Sequence, residues 1–182
     1  MVHTPRPLQE PPCGWSLETW IGGLLDLWNG FRDMKAEMNE RSILLVEDSP
    51  DDRELMTRAI KRCRPNQTVL AMADSVEALE FLIQRARSLT LRRSSRPSLV
   101  LVDLKMPKLN GLEFLNKVRA SPETLLLPVV ILSSSSSTED VARAYASGAN
   151  GYVVKPVEFD RFVQVMESLC SYWLDCDALS HL

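Results

Sequence analysis

Five positions carry groups whose types and placement could do chemistry together: Glu47, Asp48, Asp103, Ser133 and Lys155. Each sits at the end of a short aliphatic run: Ile43 to Val46 before the Glu47–Asp48 pair, Leu99 to Val102 before Asp103, Val129 to Leu132 before Ser133, and Tyr152 to Val154 before Lys155. If those runs are parallel strands, three carboxylates, one hydroxyl and one ammonium meet on one rim of a sheet. Clustered carboxylates repel one another unless a cation neutralises them. Oxygen ligands without His or Cys suit a hard ion, and few protein ligands with room for a phosphoryl group suit Mg2+. The implied chemistry is phosphoryl transfer, with Asp103 as the nucleophile that forms an acyl phosphate. Mg2+ on Asp48 and Asp103, with Glu47 acting through water, would screen the charge between nucleophile and phosphoryl oxygens. Lys155 and Ser133 would bind those oxygens, and the hydroxyl would be drawn inward only when they are present. That movement leaves space for Tyr152 to turn inward, a two-state switch.

The elements that must position these residues follow from periodicity. Aliphatic runs recur at intervals of roughly 25–30 residues, the remaining one being Val69 to Met72, which makes five strands. Between and after them, apolar residues at three- and four-residue spacing predict helices over Asp51–Cys63, Val76–Ala86, Leu112–Val118, Val141–Ala146 and Phe159–Tyr172. Runs apolar on both faces belong between two helical layers, and alternating β and α elements call for a parallel sheet. The expected fold is α/β, a doubly wound (βα)5 flavodoxin-like sandwich with sheet order 2-1-3-4-5, whose ligands gather at the carboxyl ends of the strands. Ser49, Ser75 and Ser137 or Thr138 are expected as helix caps, and Asn110-Gly111 as the turn before the third helix.

Composition narrows the function classes. Of 182 residues, 45% are hydrophobic and 25% charged, as in ordinary globular chains. Twenty-one Lys and Arg against 24 Asp and Glu leave a net charge of −3, so no overall attraction to nucleic acid is expected. The four cysteines lack a CxxC pair, and His3 and His181 lie at opposite ends, which excludes structural zinc and any mechanism built on an internal histidine. With no leader-like start and no apolar stretch near 20 residues, a cytoplasmic protein without a membrane span is expected.

Residues 1–41 are expected as an N-terminal extension, with a Pro-rich piece followed by an amphipathic helix from Leu17 to Met34. The aromatic stripe of that helix needs a partner, with the domain's own surface ahead of a second copy or a membrane. Met34 and Met38 are alternative starts, which would make the preceding segment an artefact of gene calling. A domain over 42–174 and a tail over 175–182 complete the organisation. The arginines between Arg85 and Arg96 are read as a solvated, lengthened loop rather than a docking strip.

ILLVEDSPDD, LVLVDLKMPKLNG, PVVILSSS and ANGYVVKPV resemble the receiver domain of bacterial two-component response regulators, over residues 42 to 174. The resemblance implies Asp103 as phosphoacceptor for a sensor histidine kinase, Glu47 and Asp48 as the acidic pair, Lys155 and Ser133 as the partners of the phosphoryl group, and Tyr152 as the aromatic switch. It further implies that the backbone carbonyl of Lys105 completes the Mg2+ site, and that Lys105 and Ser135 help set the lifetime of the phosphorylated state. EDSPDD, the Arg-rich stretch and the final Tyr172-Trp173 are similar to single-domain regulators that partner phytochromes and hybrid kinases. The chain after Lys155 is too short for a DNA-binding output domain, so output through protein contact is expected, with the face of the fourth helix, fifth strand and fifth helix as candidate partner or homodimer surface.

Other readings meet specific objections. A flavin phosphate would be repelled by Glu47, Asp48, Asp51 and Asp52, and a haloacid-type phosphatase would need an Asp where Lys105 stands. Two alternatives stay open within the family: a relay carrier that passes phosphate to a His-containing protein, and a phosphorylation-independent binding module.

Overall fold

The computed structural model describes residues 41–87 and 96–176, which fall within the compact unit Asn39–Leu182. The expected amphipathic helix over Leu17–Met34, most of the Arg-rich stretch and most of the C-terminal tail lie outside the described residues. Five strands, β1 (Ser42–Val46), β2 (Thr68–Met72), β3 (Pro97–Asp103), β4 (Val129–Ser133) and β5 (Gly151–Val154), alternate with α1 (Pro50–Cys63), α2 (Ser75–Arg87), α3 (Gly111–Ala120), α4 (Thr138–Ala146) and α5 (Phe159–Cys170). All pairings are parallel, in the order β2-β1-β3-β4-β5. Order and class match the sequence expectation.

Strand alternation divides the core in two. Leu44, Val46, Val100, Val102, Val129 and Ile131 point to one face, where Leu79, Leu82, Phe114, Leu115 and Ala144 cover them. Ile43, Leu45, Leu99, Leu101, Val130 and Leu132 point to the other, against Met56, Ile60, Phe162 and Met166. The three central strands therefore carry apolar side chains toward both faces, whereas the edge strands β2 and β5 are half-exposed, since each has a neighbour on one side only.

Local chemistry sets the helix starts. Ser49 caps α1 by accepting from Asp52 N, and Pro50 occupies the first turn, where its missing N–H costs nothing. Asn110 and Glu113 form a reciprocal capping box at α3, and Ser137 caps α4. The expectation for Ser75 is corrected. Asp74 accepts from Val76 N and Glu77 N, so the cap lies one residue earlier, and Ser75 enters the helix with its hydroxyl buried and without a hydrogen-bond partner.

The end of α5 differs from expectation too. Its α-helical ladder stops at Cys170, and a π-helical turn, Ser171–Cys176, takes over. The wider turn buries Leu174 and packs Trp173 on the core while Tyr172 stays exposed, its ring edge-to-face with that of Trp173 at 4.8 Å. Arg41 donates to the Leu174 carbonyl and Arg64 pairs with Asp175, tying this turn to the start of β1 and the end of α1. Burial pushes the Cys170 thiol up to about 12, which keeps it protonated and inert.

Arg119 on α3 clamps the opposite end of the sheet. Its guanidinium donates to the Gly148, Leu125 and Leu127 carbonyls and to Asn150 Oδ1, at 2.7–3.1 Å, and Asn150 Oδ1 also accepts from Val129 N. One side chain thus satisfies three backbone acceptors on two loops. Arg119→Ala is expected to lower stability by about 2 kcal/mol, because those acceptors lose their donors. Arg119→Lys should recover little of it, since an ammonium lacks the planar fork. An unchanged urea midpoint for Arg119→Ala would contradict the clamp.

Candidate functional site

The carboxyl ends of β1, β3, β4 and β5 share one rim, and the five sequence-predicted groups are found there. Asp103 and Ser133 are the last residues of β3 and β4, Glu47 and Asp48 follow β1, and Lys155 follows β5. In-register pairing of Asp103 with Leu132 and of Ser133 with Val154 holds the last three strands level.

Glu47 and Asp103 are buried and Asp48 is half-buried. Each offers a carboxylate oxygen, and these atoms lie within 4.8 Å of one another. An all-oxygen cluster this tight fits a hard divalent cation. Burial raises the Glu47 carboxyl above its ordinary range, Lys155 works against that, and the Asp103 charge reinforces it. Three clustered carboxylates face a single ammonium, so the site is short of positive charge even with Lys155 in it.

Lys155 Nζ lies 2.6 Å from Asp103 Oδ1, 2.7 Å from Glu47 Oε2 and 3.0 Å from Asp52 Oδ2. Burial disfavours its ammonium, but hydrogen bonds to Asp103, Glu47 and Asp52 outweigh that and hold its pKa above the ordinary value. Asp103 Oδ2 accepts from Lys105 N at 2.6 Å, which orients the carboxylate along the loop after β3. Arg53 donates to the Glu47 and Asp48 carbonyls, and Ser49 N donates to Glu47 Oε1, so the first turns of α1 fix the acidic pair.

The hydroxyl and the aromatic ring meet at Ser135. Ser133 Oγ accepts from Ser135 N at 3.1 Å, Tyr152 Oη donates to the Ser135 carbonyl at 2.9 Å, and Ser135 Oγ donates to Asp140 Oδ2 at 2.6 Å. The loop between β4 and α4 thus touches the site, the ring and the helix through one residue. Tyr152 also packs on the core cluster. A shift of this loop bears on all three at once.

Sequence reasoning missed Asp52, Arg53 and Asp140 as members of this network. Asp52 was legible in one respect: Ser49-Pro50-Asp51-Asp52 has the spacing of a capping box, so its carboxylate was bound to lie near the start of α1. Which group it would face depends on β5, about a hundred residues further along the chain.

A family model described as the response regulator receiver domain matches residues 43–167. The chain belongs to that family. Response regulator Rcp1 of Synechocystis sp. is 32% identical to this receiver over 143 residues, covering 78% of this chain and 95% of Rcp1. Among solved structures, the phosphorylated cyanobacterial phytochrome response regulator RcpA superposes with a TM-score of 0.66 at 30% identity, covering 76% of this chain and 96% of its own. The Mn2+-bound form of Rcp1 gives 0.64 at 30% identity, with 76% and 97% covered. The bacteriophytochrome response regulator AtBRR is 42% identical with a TM-score of 0.58, covering 73% and 94%. Receivers are signalling domains that work with histidine kinases rather than free-standing enzymes. No helix among the described residues of this receiver is long and apolar enough to cross a membrane.

Proposed function

We propose that this receiver takes a phosphoryl group from a sensor histidine kinase onto Asp103 and signals through protein contact. The observation that carries the reading is the Glu47, Asp48 and Asp103 cluster with Lys155 Nζ 2.6 Å from Asp103 Oδ1. In the transfer, an Asp103 carboxylate oxygen bonds to phosphorus while the bond from phosphorus to its donor atom breaks and the donor leaves with that electron pair. Glu47, Asp48, Asp103 and the Lys105 carbonyl are the groups to hold Mg2+. That ion supplies charge neutralisation between the carboxylates and the incoming phosphoryl oxygens. Lys155 pairs with one of those oxygens, and the Ser133 hydroxyl turns from Ser135 N to bind another. Because Tyr152 is tied to the same loop through Ser135, movement of Ser133 is transmitted to the ring. The domain catalyses its own phosphoryl transfer and dephosphorylation and no other reaction.

The likeness to RcpA and AtBRR supports a kinase of phytochrome type. For the partner face, exposed Tyr145 on α4, Val154 on β5 and Val157 just beyond it support contact, including homodimerisation, through α4, β5 and α5.

The deciding experiment is the intact mass of the full chain after incubation with acetyl phosphate and Mg2+. A single phosphoryl adduct that EDTA prevents is expected. A folded protein that takes up no phosphoryl group would instead be a phosphorylation-independent binding module.

A further inference from the structure

Lys155 is the ammonium nearest Asp103, yet it is divided among three carboxylates, and one of them lies outside the acidic cluster that could hold a cation. Asp52 Oδ2 contacts Lys155 Nζ at 3.0 Å from the third helical position of α1. Its placement there has a local cause. In a reciprocal capping box the carboxylate at that position would accept from the backbone N–H of the capping residue. Here Glu47 Oε1 already accepts from Ser49 N, so only half of the box forms, and Asp52 is left to turn toward β5. The side chain of Lys155 is 14% exposed and that of Asp52 is 47% exposed, so Asp52 is the more solvent-facing member of the pair.

We propose that Asp52 is a positioning residue that holds Lys155 away from an incoming phosphoryl group and adds a negative charge against it, so that Asp52 slows phosphorylation of Asp103. The inference rests on the receiver reading and concerns regulation of the same site. To accept a phosphoryl oxygen, Lys155 must give up or share its bond to Asp52. At the same time the Asp52 carboxylate repels a dianionic donor at close range. Both effects act in the same direction, and both depend on charge rather than on shape. Removing one charge a few ångströms from a dianion in a partly hydrated site corresponds to about a three- to tenfold change in rate at low salt.

The test uses the full chain with saturating Mg2+ and follows adduct formation by intact mass for wild type, Asp52→Asn and Asp52→Glu. With acetyl phosphate at low ionic strength, Asp52→Asn is expected to raise the second-order rate constant about three- to tenfold. Asp52→Glu should stay near wild type because it keeps the charge. The advantage of Asp52→Asn should shrink as salt is added, and should be smaller with phosphoramidate, a less negatively charged donor. A purely structural role for Asp52 would move neither the salt dependence nor the donor dependence. Equal rates for wild type and Asp52→Asn, with both labelled, would overturn the proposal and leave the receiver reading standing. Equal acceleration by Asn and Glu would also overturn it, since charge would then be irrelevant. Absence of any adduct on wild type and variants alike would overturn the receiver reading and this inference with it.

Discussion

Asp103→Asn is expected to take up no phosphoryl group from acetyl phosphate under conditions that label wild type, while keeping the fold. An amide oxygen is a poor nucleophile at phosphorus, and among the neighbouring carboxylates Glu47 is oriented by Ser49 N and Asp52 is turned to Lys155. The variant is close to isosteric, so the hydrogen bond from Lys105 N to the side-chain oxygen can persist. Losing the charge also removes one source of repulsion on buried Glu47. The variant also gives up the 2.6 Å ion pair with Lys155, which keeps its contacts to Glu47 and Asp52, so the two effects oppose and stability without divalent ions should change little. Intact mass and urea unfolding measure both halves of the expectation. Stoichiometric labelling of Asp103→Asn would place the phosphoacceptor elsewhere.

Gly111→Ala should disable the site from the backbone side. A Cβ at Gly111 would stand 2.3 Å from the Asp103 carbonyl oxygen and 2.9 Å from Leu104 Cα, both main-chain atoms that no rotamer change can clear. The start of α3 is drawn this close to the end of β3 by the hydrogen bond from Gly111 N to the Leu104 carbonyl. Even one methyl group must push helix and strand apart, and the expected cost, overpacking plus the weakened hydrogen bond, is about 3 kcal/mol. Because the displaced strand residue is Asp103 itself, phosphorylation should fall along with stability. A urea midpoint for Gly111→Ala equal to that of wild type would refute the close approach.

Much of this architecture is legible in the order of the residues. Runs such as Leu99 to Val102, apolar at successive positions, require cover on both faces, and the two core clusters supply it. The caps at Ser49 and Ser137 are readable because capping acts within three residues, whereas Asn110, read only as part of a turn, is itself the cap of α3. Ser75 misleads because a hydroxyl before an apolar run looks like a cap, whereas the adjacent Asp74 has the better-placed acceptor. The π-helical turn after α5 leaves no such mark, since its apolar spacing continues that of a helix. Its conformation is set by where Leu174 finds the core and where Arg41 and Arg64 find its end.

The succession of strands and helices, the two-faced core and the gathering of acidic, hydroxyl and ammonium groups on one rim are thus properties of the chain's own pattern. They come from local periodicity and from the rule that parallel strands send their ends the same way. The sharing of Lys155 with Asp52, the junction of Ser133, Tyr152 and Asp140 at Ser135, and the closure of the far end of the sheet by Arg119 arise only in the packed molecule. Such contacts join elements whose spacing along the chain carries no record of which side chains will meet. They depend on distances of a few ångströms, fixed only after the sheet has assembled and the helices have packed.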